Sequence, residues 1–201
     1  MQVTKTTPPT NTDQRANTLS RAFADDPAFA WILQKDSAFR QQRLVGFFNS
    51  LLVLSERSGF VLASADAEVV SVWRRPGAAL PDGVEHLRSA WPLLRTFRSC
   101  VGRASKVGDA MHAQHPAQGD FLYLTYLGVH PDHQGKGLGG AALRAGIEQS
   151  REIGKPVVLE TAKRDNVGLY QRFGFEVTSH WSVPANGPEF WTMTRPIDAE
   201  L

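Results

Sequence analysis

Residues 121–177 read FLYLTYLGVHPDHQGKGLGGAALRAGIEQSREIGKPVVLETAKRDNVGLYQRFGFEV, and the order of patterns within them decides the fold. Phe121–Val129 is an apolar run of strand length. The polar, glycine-rich turn that follows leads into a helix burying Leu138, Ala141, Ala142, Leu143 and Ile147, which Gly154-Lys155-Pro156 ends. PVVLET reads as a second strand, and the segment through Tyr170 as a short helix. This is a βαβ-like unit with an anion-binding turn at its centre.

The turn admits a competing reading. Gly135, Gly137 and Gly140 match the spacing G-x-G-x-x-G, and Glu160 follows about where a ribose-binding acid would stand in a dinucleotide site. In that fingerprint the first glycine leaves the strand almost directly, whereas here His130 to Gln134 intervene. The chain before the turn also reads as a long helix and a hairpin, not as further strand–helix pairs. A P-loop fails as well, because no Ser or Thr follows Lys136. Glycines at 135, 137 and 139 suit phosphate binding instead. They let the backbone turn tightly and present N–H groups at a helix N-terminus, where phosphate oxygens accept them. Lys136 adds a positive charge beside such a ligand.

Working outward, residues 1–11 allow a very short edge strand around Gln2 to Lys5 or a loose tail, and the tail is the expectation. Thr12 or Asp13 caps a helix carrying Ala16, Leu19, Ala22 and Phe23. Asp26-Pro27 separates it from a second helical run with Phe29, Ile32 and Leu33 on its apolar face. The longest helical pattern spans Asp36 to Glu56, with Phe39, Leu44, Phe47, Phe48, Leu51, Leu52 and Leu54 as its stripe. FVLAS and EVVSVWRR, joined by Ala65 to Ala67, read as a hairpin. Gly83 to Cys100 and Val101 to His115 read as helices with a boundary or kink at Trp91-Pro92. After Val177 the chain reads as strand, Asn186-Gly187 turn, strand, with Pro184 and Pro188 lengthening the connection. No repeat or linker divides the 201 residues, so one domain spanning 1–201 is expected.

Composition narrows the partners. A net charge of only +2 gives no basis for nucleic-acid binding without a local basic stripe, and Arg88, Arg95, Arg98, Arg103 and Lys106 are spread over two segments. The single cysteine, Cys100, excludes an internal disulfide and a cysteine-rich metal centre. His112, His115 and His130 lack a carboxylate that completes a ligand set, so no metal is expected. No apolar stretch approaches the roughly eighteen residues of a membrane span, and MQVTKTTPPTNTDQR lacks the apolar core of a signal peptide. A cytoplasmic, membrane-free protein follows as the expectation.

YLGVHPDHQGKGLGGAAL resembles the acetyl-coenzyme A signature of the Gcn5-related N-acetyltransferase (GNAT) superfamily, Gln/Arg-x-x-Gly-x-Gly/Ala, with Gln134, Gly137 and Gly139 in register. VVLETAKRDNVGLYQRFGFEV resembles that superfamily's second signature through Asn166, Tyr170, Gly174 and Phe175. AFADDPAF, EVVSVW and FWTMTRP extend the resemblance to puromycin N-acetyltransferase and its relatives, from about residue 16 to 196. It is thin between Pro76 and Pro116, and the superfamily's usual first strand is hard to find. The resemblance implies a single α/β domain: a central, mixed, mostly antiparallel twisted sheet, flanked by helices and splayed in a V between its fourth and fifth strands.

The resemblance also implies a chemistry. Acetyl-CoA is the expected co-substrate, its diphosphate over the backbone of Gln134, Gly135, Lys136, Gly137, Leu138, Gly139 and Gly140. Its pantetheine would lie along Leu127, Gly128 and Val129, with an N–H there polarising the acetyl carbonyl. Asn166 is read as a helix cap that also touches pantetheine. Tyr170 is the candidate general acid for the departing thiolate. The general base is open: Phe121–Val129 holds no Asp or Glu, leaving Tyr123 or Tyr126 ordering a water, or Glu160 at the end of the next strand. Asp25 and Asp26 are candidates for binding a cationic amine.

The expected reaction is direct attack by a primary amine of a small molecule in a ternary complex. An aromatic or aminonucleoside-like acceptor would suit Phe29, Trp31, Phe47, Phe48, Trp73 and Trp91, which also serve as core. A nucleotide-dependent oxidoreductase and a non-catalytic CoA-binding module are the alternatives. The acceptor's identity, other acyl donors, the role of residues 76–116 and the choice of monomer or homodimer are not legible in the sequence.

Overall fold

The computed structural model describes residues 3–5, 12–78, 94, 96–114 and 120–199. Their frame is a seven-stranded sheet in the order β1-β2-β3-β4-β5-β7-β6. The strands are β1 (Thr4–Lys5), β2 (Gly59–Ala63), β3 (Val69–Arg74), β4 (Leu122–Val129), β5 (Val157–Thr161), β6 (Glu176–Ser182) and β7 (Glu189–Arg195). Only β4 and β5 run parallel; every other neighbouring pair is antiparallel. The first three strands therefore form no parallel run before residue 130, the feature an oxidoreductase of the dinucleotide type would need. Of the two readings of the N-terminal segment, the short edge strand is the one seen, with Thr4 and Lys5 opposite Ala63 and Leu62.

Alternation along the strands divides the core between two faces. Val61, Ala63, Val70 and Val72 pack with α1 (Thr12–Ala22), α2 (Pro27–Ile32) and α3 (Arg40–Ser58) through Leu19, Phe29, Leu44 and Phe48. On the other face Phe60, Leu62 and Trp73 pack with Leu143 and Ile147 of α5 (Leu138–Ile153) and Tyr170 of α6 (Arg164–Gln171). Trp73 is fully buried and stacks on Phe60, so it belongs to the core and not to a ligand wall. The sequence places the start of the long helix too early. Gln34–Phe39 is a 3-10 turn, and Phe39, just ahead of α3, is 59% exposed.

The helix α4 spans Val101–His112. The expected helix from Gly83 to Cys100 falls largely outside the described residues, as do Trp91 and His115; within it Leu94, Thr96 and Phe97 are helical and Arg98–Cys100 is a 3-10 turn. The β6–β7 connection is the longer kind that its two prolines imply. Val183 and Gly187 close it through backbone hydrogen bonds, and Ala185 and Asn186 take positive φ.

One irregularity opens the sheet. In the β3–β4 ladder Val72 lies opposite Tyr126 and Trp73 opposite Leu124, so Thr125 is an extra residue on β4. A bulge bends its strand. This one falls where the β4–β5 ladder stops, at Leu124 opposite Leu159. Beyond it the two strands part, and the β5-facing edge of Thr125–Val129 has no strand beside it. The V between the fourth and fifth strands thus has a local cause.

Candidate active site

The glycine-rich turn sits at the open end of that V. Pro131–His133 forms a 3-10 turn, and Gly135 and Gly137 follow with φ of 75° and 78°. No atom would stand within 4 Å of a Cβ at either position. Backbone conformation, not crowding, therefore calls for glycine at both. Gly137 then caps α5. Among the described residues, the N–H groups from Gly135 to Gly140 donate to no protein acceptor, while the Gln134 N–H is used by Pro131 O and the Ala141 N–H by Gly137 O. A run of free donors at the N-terminus of a sixteen-residue helix is a ready binding site for phosphate oxygens, which would accept from them.

Neighbouring side chains hold the turn in place. His133 Nδ1 meets Glu68 Oε1 at 2.7 Å, and the His130 N–H donates to Glu68 O, tying the turn to the β2–β3 hairpin. Gln134 Nε2 donates to Val129 O at 3.2 Å. Lys136 Nζ reaches back to Asp132 O at 3.2 Å and is otherwise exposed. Gln134 thus braces the end of β4 with its side chain, and the free N–H run begins one residue later than the sequence suggests.

The direction of the β4 backbone groups follows from the same hydrogen bonds. His130 N–H points to β3, and successive residues in a strand alternate sides. Leu127 and Val129 therefore turn their backbone groups into the V, and Gly128 turns its own toward β3. Gly128 matters for another reason: a Cβ there would lie 2.9 Å from Ala22 Cβ, so glycine lets α1 close over the strand.

A single cavity of about 660 Å³ runs from this cradle into the molecule. At its outer end lie Val129, Gln134, Gly139 and Asn166; in the middle are Thr125, Leu127, Gly128, Glu160, Lys163 and Tyr170. The inner arm is bounded by Phe23, Asp26, Phe29 and Phe47 from the first three helices and their connections, Tyr126 from β4, and Val101, Val107 and Met111 from α4. The aromatic members interlock with one another and with the core behind them: Tyr126 lies 5.4 Å from Phe23 and 5.9 Å from Phe47 in the arm and 5.2 Å from the core residue Phe48, ring centre to ring centre. Thr125, the bulged residue, leaves its buried Oγ1 without a hydrogen-bond partner.

The titratable groups of the cavity divide by their environments. Tyr170, 8% exposed near the end of α6, has its phenol pushed up to about 12 by burial. Tyr123 donates its hydroxyl hydrogen to Glu160 Oε2 at 2.6 Å, and burial and then the Glu160 charge hold its pKa well above that of a free tyrosine. Burial, and secondly Asp26, raises Tyr126. All the tyrosines therefore stay protonated at neutral pH. Asp26 is pushed above the ordinary carboxylate value by burial, against the downward pull of the Phe29 and Ala28 N–H groups and of Lys163.

Of the expected site residues, Tyr126, Leu127–Val129, Gln134, Gly139, Glu160, Asn166 and Tyr170 line one cavity, and Gly135–Leu138 and Gly140 belong to the turn and helix start beside it. One role is corrected. Asn166 does not cap α6, because the helix starts at Arg164 after Lys163; Asn166 stands in the first turn and its amide donates to Thr161 Oγ1 at 3.4 Å. Sequence reasoning missed Thr125, Lys163 and the contribution of α4. A bulge has no side-chain signature, and α4 reaches the cavity only through tertiary packing. Among the described residues no group of three or more His, Cys, Asp or Glu side chains is disposed to hold a metal, and no helix is long and apolar enough to cross a membrane.

Residues 82–175 match the acetyltransferase (GNAT) family. The chain is 29% identical over 173 residues to an uncharacterized N-acetyltransferase of Schizosaccharomyces pombe, covering 80% of this chain and 68% of that protein. It is 42% identical over 65 residues to the L-amino acid N-acyltransferase MnaT of Escherichia coli, a match covering 31% of this chain and 37% of that protein. Among solved structures, the histone acetyltransferase HPA2 and related acetyltransferase from Corynebacterium glutamicum superposes with a TM-score of 0.68 at 25% identity, over 100% of this chain and 98% of that one. The splayed sheet, the free N–H run and these likenesses together give the chain the fold of the GNAT acetyltransferases.

Proposed function

We propose that this acetyltransferase moves the acetyl group of acetyl-CoA directly to a primary amine of a small molecule, with both substrates bound together. The observation that carries this reading is the continuity of one cavity, from the glycine-rich turn, which it meets at Gln134 and Gly139, to an arm lined by aromatic side chains. The residues present fit CoA. Gly135–Gly140 would take the diphosphate, the β5-facing edge of β4 would take the pantetheine amides as an added strand, and Thr125 Oγ1 is an unused polar group beside that path.

Bound acetyl-CoA would supply an activated thioester carbonyl; the chain's own groups do the rest. A backbone N–H of Leu127 or Val129, turned into the V, donates to the carbonyl oxygen as negative charge grows there. Tyr170 stays protonated across the physiological range and gives its proton to the leaving sulfur. Tyr126, also a neutral phenol, shapes the inner arm; it is not a phenolate base. Glu160, held by Tyr123, fixes the polar waist between the two arms. Lys136 and the positive end of α5 draw the diphosphate in. Direct attack by the amine requires no nucleophilic side chain.

The test is thiol release from acetyl-CoA by the purified protein with a panel of primary amines. Amine-dependent release that saturates in both substrates supports the reading. Tight CoA binding without release for any amine would leave only a CoA-binding module.

A further inference from the structure

Asp26, Asp109 and Glu160 line the cavity, and the hydrogen bonds of Glu160 at the waist and Asp26 in the inner arm give those two different roles. Glu160 Oε2 receives the Tyr123 hydroxyl at 2.6 Å. Asp26 is 8% exposed, and its Oδ1 accepts the N–H groups of Ala28 at 2.9 Å and Phe29 at 3.2 Å. Among the described residues nothing donates to its Oδ2. A buried carboxylate with one oxygen fixed by a helix and the other unbonded is held rigidly while keeping a place for one donor.

We propose that Asp26 binds the ammonium group of the acceptor and takes its proton, selecting amines with an aromatic or aliphatic body and no carboxylate of their own. The inference rests on the acetyl-transfer reading above and assigns its acceptor side. The surroundings suit such a cation: Phe23, Phe29 and Tyr126 present aromatic rings in the same arm. The other titratable groups lining the cavity are Tyr126 from β4, Glu160 from β5, Lys163 from the β5–α6 connection, Tyr170 from α6, and Asp109 and His112 from α4. Lys163 acts on Asp26 from a distance and lowers its proton affinity; burial raises it and is the larger effect. The same burial lowers the proton affinity of an ammonium group, so the two partners converge and transfer between them becomes feasible.

The proton balance closes. An alkylammonium sheds two protons on becoming an amide. The first passes to Asp26 Oδ2 before attack and leaves for solvent when product departs. The nitrogen lone pair then forms the C–N bond, the C–S bond breaks, and the sulfur takes the Tyr170 proton. The second nitrogen proton restores the Tyr170 phenol through water. Acceptors carrying a carboxylate would place a second anion beside Asp26 and Glu160 and are disfavoured.

The test compares wild type with Asp26→Asn and Asp26→Ser, both of which keep an N-cap acceptor while removing the charge. Thiol release is followed with 2-phenylethylamine, hexylamine and phenylalanine between pH 6 and 9, and CoA affinity by calorimetry. The expected result is a loss of about 100-fold or more in kcat/KM for the two monoamines, with CoA affinity within about twofold. Wild type should prefer 2-phenylethylamine to phenylalanine. A measurement needing no variant is binding to the wild-type CoA complex, where 2-phenylethylamine should bind at least tenfold more tightly than the neutral 2-phenylethanol. Folded variants within about threefold of wild type, preference for phenylalanine, or equal binding of amine and alcohol would each overturn the proposal. A wild-type enzyme that releases thiol with other amines but neither monoamine overturns the acceptor class. One that releases none with any amine removes the acetyl-transfer reading itself.

Discussion

Tyr123 on β4 donates its hydroxyl hydrogen to Glu160 on β5 across 2.6 Å, beside the point where the two strands part. The bond joins the closed half of the sheet to the open half and gives one oxygen of a part-buried carboxylate a donor at the waist of the cavity. Tyr123→Phe removes the donor without changing the ring. It is expected to cost about 1–3 kcal/mol in denaturant unfolding, the usual penalty for depriving a buried charged group of a partner. A loss below about 0.5 kcal/mol would show that water replaces the hydroxyl freely.

Tyr170→Phe keeps the packing of α6 against the β5 side of the core and deletes the proton donor. Turnover should fall by about 100-fold while CoA affinity stays within about twofold. Steady-state kinetics with calorimetry separates the two quantities, and an unchanged kcat would remove Tyr170 as the acid.

The Gly137 backbone, at φ 78°, is where the turn enters α5. Gly137→Ala forces an L-residue into that conformation at a cost of about 1–2 kcal/mol. Because the strain falls on the free N–H run, CoA affinity is expected to drop about tenfold, with only a small shift in Tm. Calorimetry and thermal melts report these separately.

Gly146 marks a packing limit of a different kind. A Cβ there would lie 1.9 Å from Cζ2 of the fully buried Trp73. Gly146→Ala should destabilise the fold by about 1–3 kcal/mol through overpacking, although alanine is the better helix former. A neutral or stabilising outcome in chemical denaturation would contradict the tight α5–β3 contact.

The sequence has three tyrosines, and all sit above the ordinary phenol value of 10 when folded, Tyr170 at about 12. The unfolded chain binds a proton less tightly at these positions. Their contribution to stability is therefore complete below about pH 10 and is lost as pH rises toward the folded values. Ultraviolet titration should show no tyrosinate in the folded protein at pH 10, with absorbance appearing as the chain unfolds. A tyrosinate step at pH 10 in folded protein would place a phenol in water.

Much of the fold and site is legible in the chain. The periodicity of 121–177 supplies strand, turn, helix, strand and helix in order, and the two signatures point to the turn and to Tyr170. The cause of the V is not legible, because Thr125 becomes an extra residue only through its register against Val72 and Trp73. The exposure of Phe39 is hidden for a similar reason: helical periodicity continues through a 3-10 turn that redirects the side chain. Asn166 reads as a cap from residue type alone, but the helix boundary two residues earlier gives it another hydrogen bond. Asp26 reads as a helix start, which it is; its unbonded second oxygen emerges only in three dimensions.

Whether the V beyond Thr125 and the N–H run at α5 together hold CoA is decided by amide hydrogen exchange with and without CoA, which reads the donors themselves. New protection is expected at Gly135–Gly140 and at Leu127 and Val129, with little change along β6 and β7. Protection confined to other segments, or none in the turn at saturating CoA, would contradict this mode of binding.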